Sequence, residues 1–423
     1  MLQKKIIACA IAATLSASCT AYADNDHHQG PFKFEPITES AYSATWNPLA
    51  PWMIPEGFTQ AVVSDETDLN IYDGGRDDWG DMNTVNETGK QTGRYLYRTQ
   101  EIRTGSEYTE GGAVSVVDLK TGEARVIAQD ASWTAVDGIE WTPWGTVLFA
   151  EENTNGRLFE LVLNKDNMMT GVVYDRPAVG RLAHEGIQVA QDGSVYVVDE
   201  FRGQTSGYGG GIYKFVPDTF GDLTSGKLYV LKVTGDDGVG QGEWVGPIDP
   251  SNARVSGTEA GGTGYQRPED LQIIDNTLYV AVTEGLGYAG RVLAINLWDM
   301  EVSNYVKPGM NALVENKANK VTGFAQVDNL AVTPDGKLVM IEDNVPSDIW
   351  IATEAHDRDG VAEAIELFAT LTDPEAEGTG IYFGKDPNTL FVNVQHSAAT
   401  DGDGTWAISK NKRERKDDKR DHN

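Results

Sequence analysis

Acidic side chains recur at matching places along this sequence. Asp137, Glu185, Glu269 with Asp270, and Asp328 each open a short apolar run, and Glu377 stands just before a fifth. A second apolar run follows each opener and closes on polar groups again: Glu151 and Glu152, Asp199 and Glu200, Glu284, then Glu342 and Asp343, with Gln395-His396 in the fifth. Carboxylates gathered in one place without counterions repel one another or stay protonated, and bound cations relieve that. Hard oxygen donors select calcium or magnesium, and calcium accepts an irregular cage of about six to eight oxygens. A lone acid beside a turn is ordinarily just solvated. Acids fill only 64 of 423 positions, so their return at corresponding places in five successive units points to a shared site.

The elements that must position these acids are hairpins. Asp137-Gly138-Ile139-Glu140-Trp141 leads to Val147-Leu148-Phe149, Glu185-Gly186-Ile187-Gln188-Val189 to Val195-Tyr196-Val197, and Glu269-Asp270-Leu271-Gln272-Ile273 to Leu278-Tyr279-Val280. Asp328-Asn329-Leu330-Ala331-Val332 leads to Leu338-Val339-Met340, and Gly380-Ile381-Tyr382-Phe383 to Leu390-Phe391-Val392. Tight turns such as Gln191-Asp192-Gly193 and Pro334-Asp335-Gly336 join the two runs. In an antiparallel hairpin the opener and the closer lie at the same end, because the turn occupies the other. If the inner strands line a channel, one end of it is circled by carboxylates. A third strand often follows, as at Gly211-Ile212-Tyr213-Lys214-Phe215 and Ile349-Trp350-Ile351.

Repeated units of three or four strands predict an all-β chain, a β-propeller in a single domain. The spacing from Gly138 to Gly186 is 48 residues, from Asp270 to Asn329 59 and from Asn329 to Gly380 51. The 84 residues from Gly186 to Asp270 imply an insertion or an extra blade, and a further unit fits Gly93 to Ala128. Six blades are expected, with seven as the alternative. A short helix near Val361 to Phe368 is the one helical expectation.

Residues 1–23 read as a secretory signal, with Lys4 and Lys5, the apolar run Ile6 to Ala17 and the site Ala21-Tyr22-Ala23. Residues 24–45 read as a flexible leader, 46–409 as the propeller and 410–423 as a disordered charged tail. The product is expected in the periplasm or outside the cell. Both cysteines, Cys9 and Cys19, fall inside the signal, which excludes a disulfide framework and a thiolate metal site in the mature chain. No later stretch approaches the roughly 18 uninterrupted apolar residues of a membrane span, so no membrane insertion is expected. Loss of Lys4 and Lys5 takes the formal charge from −30 to −32, which argues against nucleic acid as a partner.

Other signals carry less. His27, His28, His356 and His422 read as surface residues, and spaced histidine pairs for zinc are lacking. His184 precedes Glu185 and His396 closes the last repeat, so both are placed to reach the channel. Asp357-Arg358-Asp359-Gly360 and Asp401-Gly402-Asp403-Gly404 lack the full calcium-loop pattern and read as acidic turns. No nucleophilic serine elbow is recognisable.

Four segments resemble the PhoX family of secreted alkaline phosphatases: Trp144-Gly145-Thr146 through Glu151-Glu152; His184-Glu185-Gly186; Arg267-Pro268-Glu269-Asp270; and Glu377 to Phe383 with Thr389 to His396. The resemblance implies a six-bladed propeller with calcium and iron grouped over its channel, hydrolysing phosphate monoesters. It implies that Arg267 grips phosphate, that Glu269 bridges metals, and that Glu152, Glu185, Asp328, Glu151, Glu200 and Glu377 are further ligands. His184 joins Arg267 as a catalytic candidate. The family carries a cysteine iron ligand where Ala150 stands here, so iron has no thiolate, whereas calcium is less affected. The expected function is therefore a secreted, calcium-dependent phosphomonoesterase acting on small phosphate esters. A calcium-dependent propeller hydrolase of another class, lactonase-like, and a non-catalytic calcium-binding scaffold are the alternatives. Arg267 beside the ring favours phosphate over a neutral lactone.

Overall fold

In the computed structural model the described residues are 32–411, apart from 43, 70, 72–78, 104–108, 204–208, 285–288, 317–319 and 354–359. The secretory signal, the first part of the leader, His27, His28, His356, Asp357-Arg358-Asp359, the tail from 412 and His422 lie outside them.

The inner strands are Gly80–Val85 (β1), Val136–Trp141 (β2), Ile187–Val189 (β3), Pro268–Ile274 (β4), Val327–Val332 (β5) and Glu377–Phe383 (β6). Each contacts the next, and β6 contacts β1, so they close a ring. From each inner strand the chain steps outward through antiparallel neighbours; from β1 these are Tyr95–Gln100, Ala113–Asp118 and Glu123–Gln129. The strand Phe58–Asp65 pairs with Gly404–Lys410, so the beginning of the described chain completes the last sheet. The result is all-β, with a propeller-like arrangement of sheets.

One sheet has nine strands. It holds the runs led by β3 and β4, joined edge to edge through Gly240–Ile248 and Glu301–Val306. The 84-residue gap is thus an insertion rather than an extra blade: the run led by β3 has long outer strands, Ile212–Thr219 and Asp222–Thr234, and is followed by the added joining strand and the helix Ala253–Glu259. The helix expected near Val361 to Phe368 is instead largely the strand Ile365–Leu371, whose Leu367 and Phe368 enter different core clusters. That alternation is strand periodicity.

The second strand of each unit accounts for the continuous apolar runs. Val147 and Phe149 pack in one cluster while Leu148 and Ala150 pack in the next, and Val195 and Val197 are separated in the same way from Tyr196 and Val198. Successive side chains enter opposite interfaces, so both faces must be apolar. Each such fully buried Val or Leu contributes about 1.5–3 kcal/mol.

The inner strands approach so closely that the repeat's glycine is required. A Cβ on Gly138 would lie 1.7 Å from the Glu185 carbonyl oxygen, and one on Gly186 would lie 2.6 Å from Asp270 Cα. Side chains lace neighbouring sheets here: Gln188 Oε1 accepts from Ile273 N at 2.7 Å, Asp270 Oδ2 from Leu330 N at 2.8 Å and Asn329 Oδ1 from Gly380 N at 2.6 Å. The segment expected as a leader packs over much of its described part. Phe32 is buried against Phe34, Phe58, Phe368 and Phe383, and Ser40 and Ala41 are buried too.

Candidate metal centre

Asp81, Asp137, Glu269 and Asp328 are each the second residue of an inner strand; Glu377 begins β6 and Glu185 lies two residues before β3. All therefore stand at one end of the ring. The closing acids are tied to the same end by a repeated bond. Glu101 N donates to Trp79 O at 3.0 Å, Glu152 N to Ala135 O at 2.7 Å, Glu200 N to Ala183 O at 2.8 Å and Asp343 N to Gln326 O at 2.8 Å.

A second recurrence turns the chain into each opener. Trp79, Ala135, Arg267 and Gln326 lie two residues ahead of Asp81, Asp137, Glu269 and Asp328, and all have left-handed backbone, with φ of 40°, 50°, 53° and 46°. A non-glycine residue there costs about 1–2 kcal/mol. Such a cost at four equivalent corners accompanies the aiming of four carboxylates.

Among the described residues, three groups of carboxylates offer ligand atoms within 4.8 Å of one another: Asp81, Asp137 and Glu185; Glu101, Asp137 and Glu152; and Glu185, Glu269 and Asp328. Asp137 and Glu185 are each shared by two groups, so the three are contiguous. Asp137 Oδ1 and Glu269 Oε2 are buried and have no hydrogen-bond partner. A buried carboxylate oxygen left so is costly unless something else satisfies it. All-oxygen donors with bare anionic atoms suit a hard divalent cation, and calcium in particular tolerates their irregular placement.

The electrostatics agree. Burial, then the charge of Glu101, pushes the Asp81 carboxyl up to about 7. Burial and Glu200 push Glu269 up to about 8 despite Arg267 beside it. Glu377 rises to about 10 through burial and Asp343. Asp137, Glu152, Glu185 and Asp328 are each raised well above the usual carboxylate range by burial and by the charges of neighbouring acids. Without a bound cation, burial and mutual repulsion favour the protonated forms of these groups.

Among the described residues, two guanidinium groups pair with these carboxylates. Arg267 Nε pairs with Glu200 and lies 3.1 Å from Glu269 Oε1, while Nη1 is 3.6 Å from Asp343 Oδ2; its side chain is 18% exposed. Arg103, 59% exposed, pairs through Nη2 with Glu101 and, at 2.6 Å, with Glu152 Oε2. Thr283 Oγ1, 2.6 Å from Glu269 Oε1, fixes that carboxylate from behind.

Of the acids expected as ligands, the structure brings Glu152, Glu185, Glu269 and Asp328 together. Glu200 lies beside them on Arg267. Glu377 borders the cluster, near Asp343 and 3.7 Å from His396 Nε2. Glu151 is not among them. It accepts from Arg157 Nε at 2.7 Å and Nη2 at 2.9 Å, and from Thr134 N at 3.1 Å, so both oxygens are spent inside the sheet. His184 is fully buried, its Nε2 is 3.1 Å from Gly180 O, and burial lowers it to about 4. It is in none of the three carboxylate groups, and its buried Nδ1 has no hydrogen-bond partner. Two other acids of the repeat are likewise paired within the chain: Asp199 with Arg254 at 2.6 and 2.5 Å and Glu284 with Arg291 at 2.8 Å, while Glu342 accepts from Ala325 N at 2.7 Å through Oε1 only and its buried Oε2 has no hydrogen-bond partner.

Sequence reasoning missed Asp81, Glu101 and Arg103 and left Asp137 outside its ligand set. The available signal was the polar pair Gln100-Glu101 following the apolar run Tyr95-Leu96-Tyr97, as Glu151-Glu152 follows Val147-Leu148-Phe149.

A family model described as "Alkaline phosphatase PhoX" matches residues 164–398. No curated protein matches the sequence. Among solved structures, Pseudomonas fluorescens PhoX in complex with vanadate, a transition state analogue, is similar over 89% of this chain and 98% of its own, at 16% identity and a TM-score of 0.61. A Penicillium chrysogenum alpha-L-arabinanase complexed with arabinobiose aligns over 84% of this chain and 98% of its own, at 11% identity and a TM-score of 0.48.

Proposed function

The chain belongs to the PhoX alkaline phosphatase family, and on that premise we propose that it is a calcium-dependent phosphomonoesterase releasing phosphate from small organic esters at the acidic end of the ring. The observation that carries this reading is the contiguity of the three carboxylate groups around Arg267 and the partnerless oxygens of Asp137 and Glu269. The blade count that goes with it is six, supported by the closed ring of inner strands β1 to β6.

Glu185, Glu269 and Asp328 would hold one cation, and Asp81, Asp137, Glu101 and Glu152 the others. Calcium, when bound there, supplies the Lewis-acid charge that an incoming phosphoryl group needs. The rest is the work of the chain. Arg267, braced by Glu200, Glu269 and Asp343, keeps a planar, permanently charged donor set beside the ligands. A dianionic ester approaching a chain this acidic requires such concentrated positive charge. Thr283 restrains Glu269 so that its free oxygen stays aimed. Ala150, packed with Leu148 and Leu158 in an apolar cluster, adds no donor, which favours an oxygen-only, calcium-type set over one containing iron.

Export to the periplasm or the medium belongs to this reading and rests on residues 1–23. Among the described residues no helix is long and apolar enough to cross a membrane. Vanadate, a phosphoryl transition-state mimic, tests the assignment. Competitive inhibition of p-nitrophenyl phosphate hydrolysis by the calcium-loaded protein is expected; no turnover, together with hydrolysis of a lactone, would move the function to the other hydrolase class.

A further inference from the structure

Arg103 occupies an unusual place. Its Nη2 pairs with Glu101 and lies 2.6 Å from Glu152 Oε2, and these are two of the three members of one candidate cation group, the third being Asp137. The guanidinium therefore stands as a counterion on the carboxylates that a metal would take. It differs from Arg267 in exposure, 59% against 18%, and Arg267 is braced by three carboxylates. Arg267 is fixed in place; Arg103 is a long, solvent-reaching side chain held by the group it caps.

We propose that Arg103 is an exchangeable cap: a cation entering the Glu101, Asp137 and Glu152 group displaces it from Glu152, and the freed guanidinium then binds the oxygens of the anionic substrate. The second half rests on the phosphatase reading; the first does not. Competition for Glu152 follows from charge, because one carboxylate oxygen cannot keep a 2.6 Å ion pair and also give its full charge to a divalent ion. Capture of phosphate follows from geometry, since a guanidinium released at the rim of the ring offers paired N–H donors matched to phosphoryl oxygens. The cap also partly neutralises this acidic rim before metal arrives.

The experiment compares wild type, Arg103→Ala and Arg103→Lys in two titrations. Calcium alone is titrated into chelated protein by calorimetry, and orthophosphate is then titrated into the calcium-loaded protein. Removal of the cap is expected to tighten calcium binding in Arg103→Ala, because its competitor is gone. Phosphate binding should weaken by roughly tenfold or more in Arg103→Ala, as befits loss of a charged hydrogen bond, with Arg103→Lys restoring part of it. Calcium binding that is unchanged or weaker in Arg103→Ala overturns the cap, since a merely structural arginine would leave it so. Unchanged phosphate binding overturns the substrate role. If wild type binds calcium but no phosphate, the phosphatase reading fails and the substrate role with it, while the calcium titration still decides the cap.

Discussion

Arg267 Nε lies 3.1 Å from Glu269 Oε1, and the other oxygen of that buried carboxylate, Oε2, has no partner. One oxygen of Glu269 is paired within the chain and the other is buried without a hydrogen-bond partner. The arrangement joins a guanidinium and a carboxylate of the ring within a span of three residues, with left-handed backbone at Arg267.

Arg267→Ala should reduce kcat/KM for p-nitrophenyl phosphate by about a hundredfold, roughly the 3 kcal/mol that removal of a charged transition-state donor costs. Calcium content by elemental analysis should stay near the wild-type value. Equal loss of metal and turnover would make Arg267 a brace for the ligands instead.

Neighbouring acids should separate cleanly. Glu152→Gln should lower calcium content with little loss of apo stability, whereas Glu151→Gln should leave calcium in place and destabilise the fold. The cost of the latter is about 2 kcal/mol, below that of a wholly buried pair because Arg157 keeps partial exposure. Urea unfolding with metal analysis checks both, and the reverse pattern would exchange the two roles.

That contrast separates what the sequence discloses from what it hides. Strands, turns and repeated acids are legible because short apolar runs separated by Asp-Gly turns can hardly fold as anything but hairpins. Which member of an acidic pair faces the ring is not legible. Glu152, Glu200 and Asp343 lie at the cluster, while their predecessors Glu151 and Asp199 are taken up by Arg157 and Arg254, and Glu342 holds the Ala325 amide with one oxygen. Adjacent residues on a strand point to opposite faces, and the register shift between Val136 and Ile139 displaces the opener relative to its partner. Asp81 escaped notice because β1, Gly80-Asp81-Met82-Asn83-Thr84-Val85, carries polar residues where the other inner strands are apolar. Its Asn83 Nδ2 donates to Gly380 O at 2.5 Å and to Asn393 Oδ1 at 3.0 Å, contacts that form only once the ring has closed.

The apo protein should lose stability as pH rises. Asp81 and Glu269 hold protons up to about 7 and about 8 in the fold, against an ordinary carboxylate value near 4 when unfolded. A raised folded-state value contributes stability that is complete below about pH 4 and lost as pH climbs through 7 to 8. The Tm of chelated protein should therefore be lower at pH 9 than at pH 5, and added calcium should restore it at pH 9, where the deprotonated carboxylates can bind. Equal Tm values for the chelated protein across that range would show that the ring is not strained by its own charge.

The most direct test is a titration of chelated, purified protein with calcium while p-nitrophenyl phosphate turnover and bound calcium are followed together. Turnover should be absent without calcium, rise with occupancy and saturate with it, and Glu185→Gln, which removes a carboxylate shared by two of the three groups, should abolish the rise. Turnover that persists after chelation, or full calcium occupancy without turnover, would contradict calcium-dependent phosphate release at this ring.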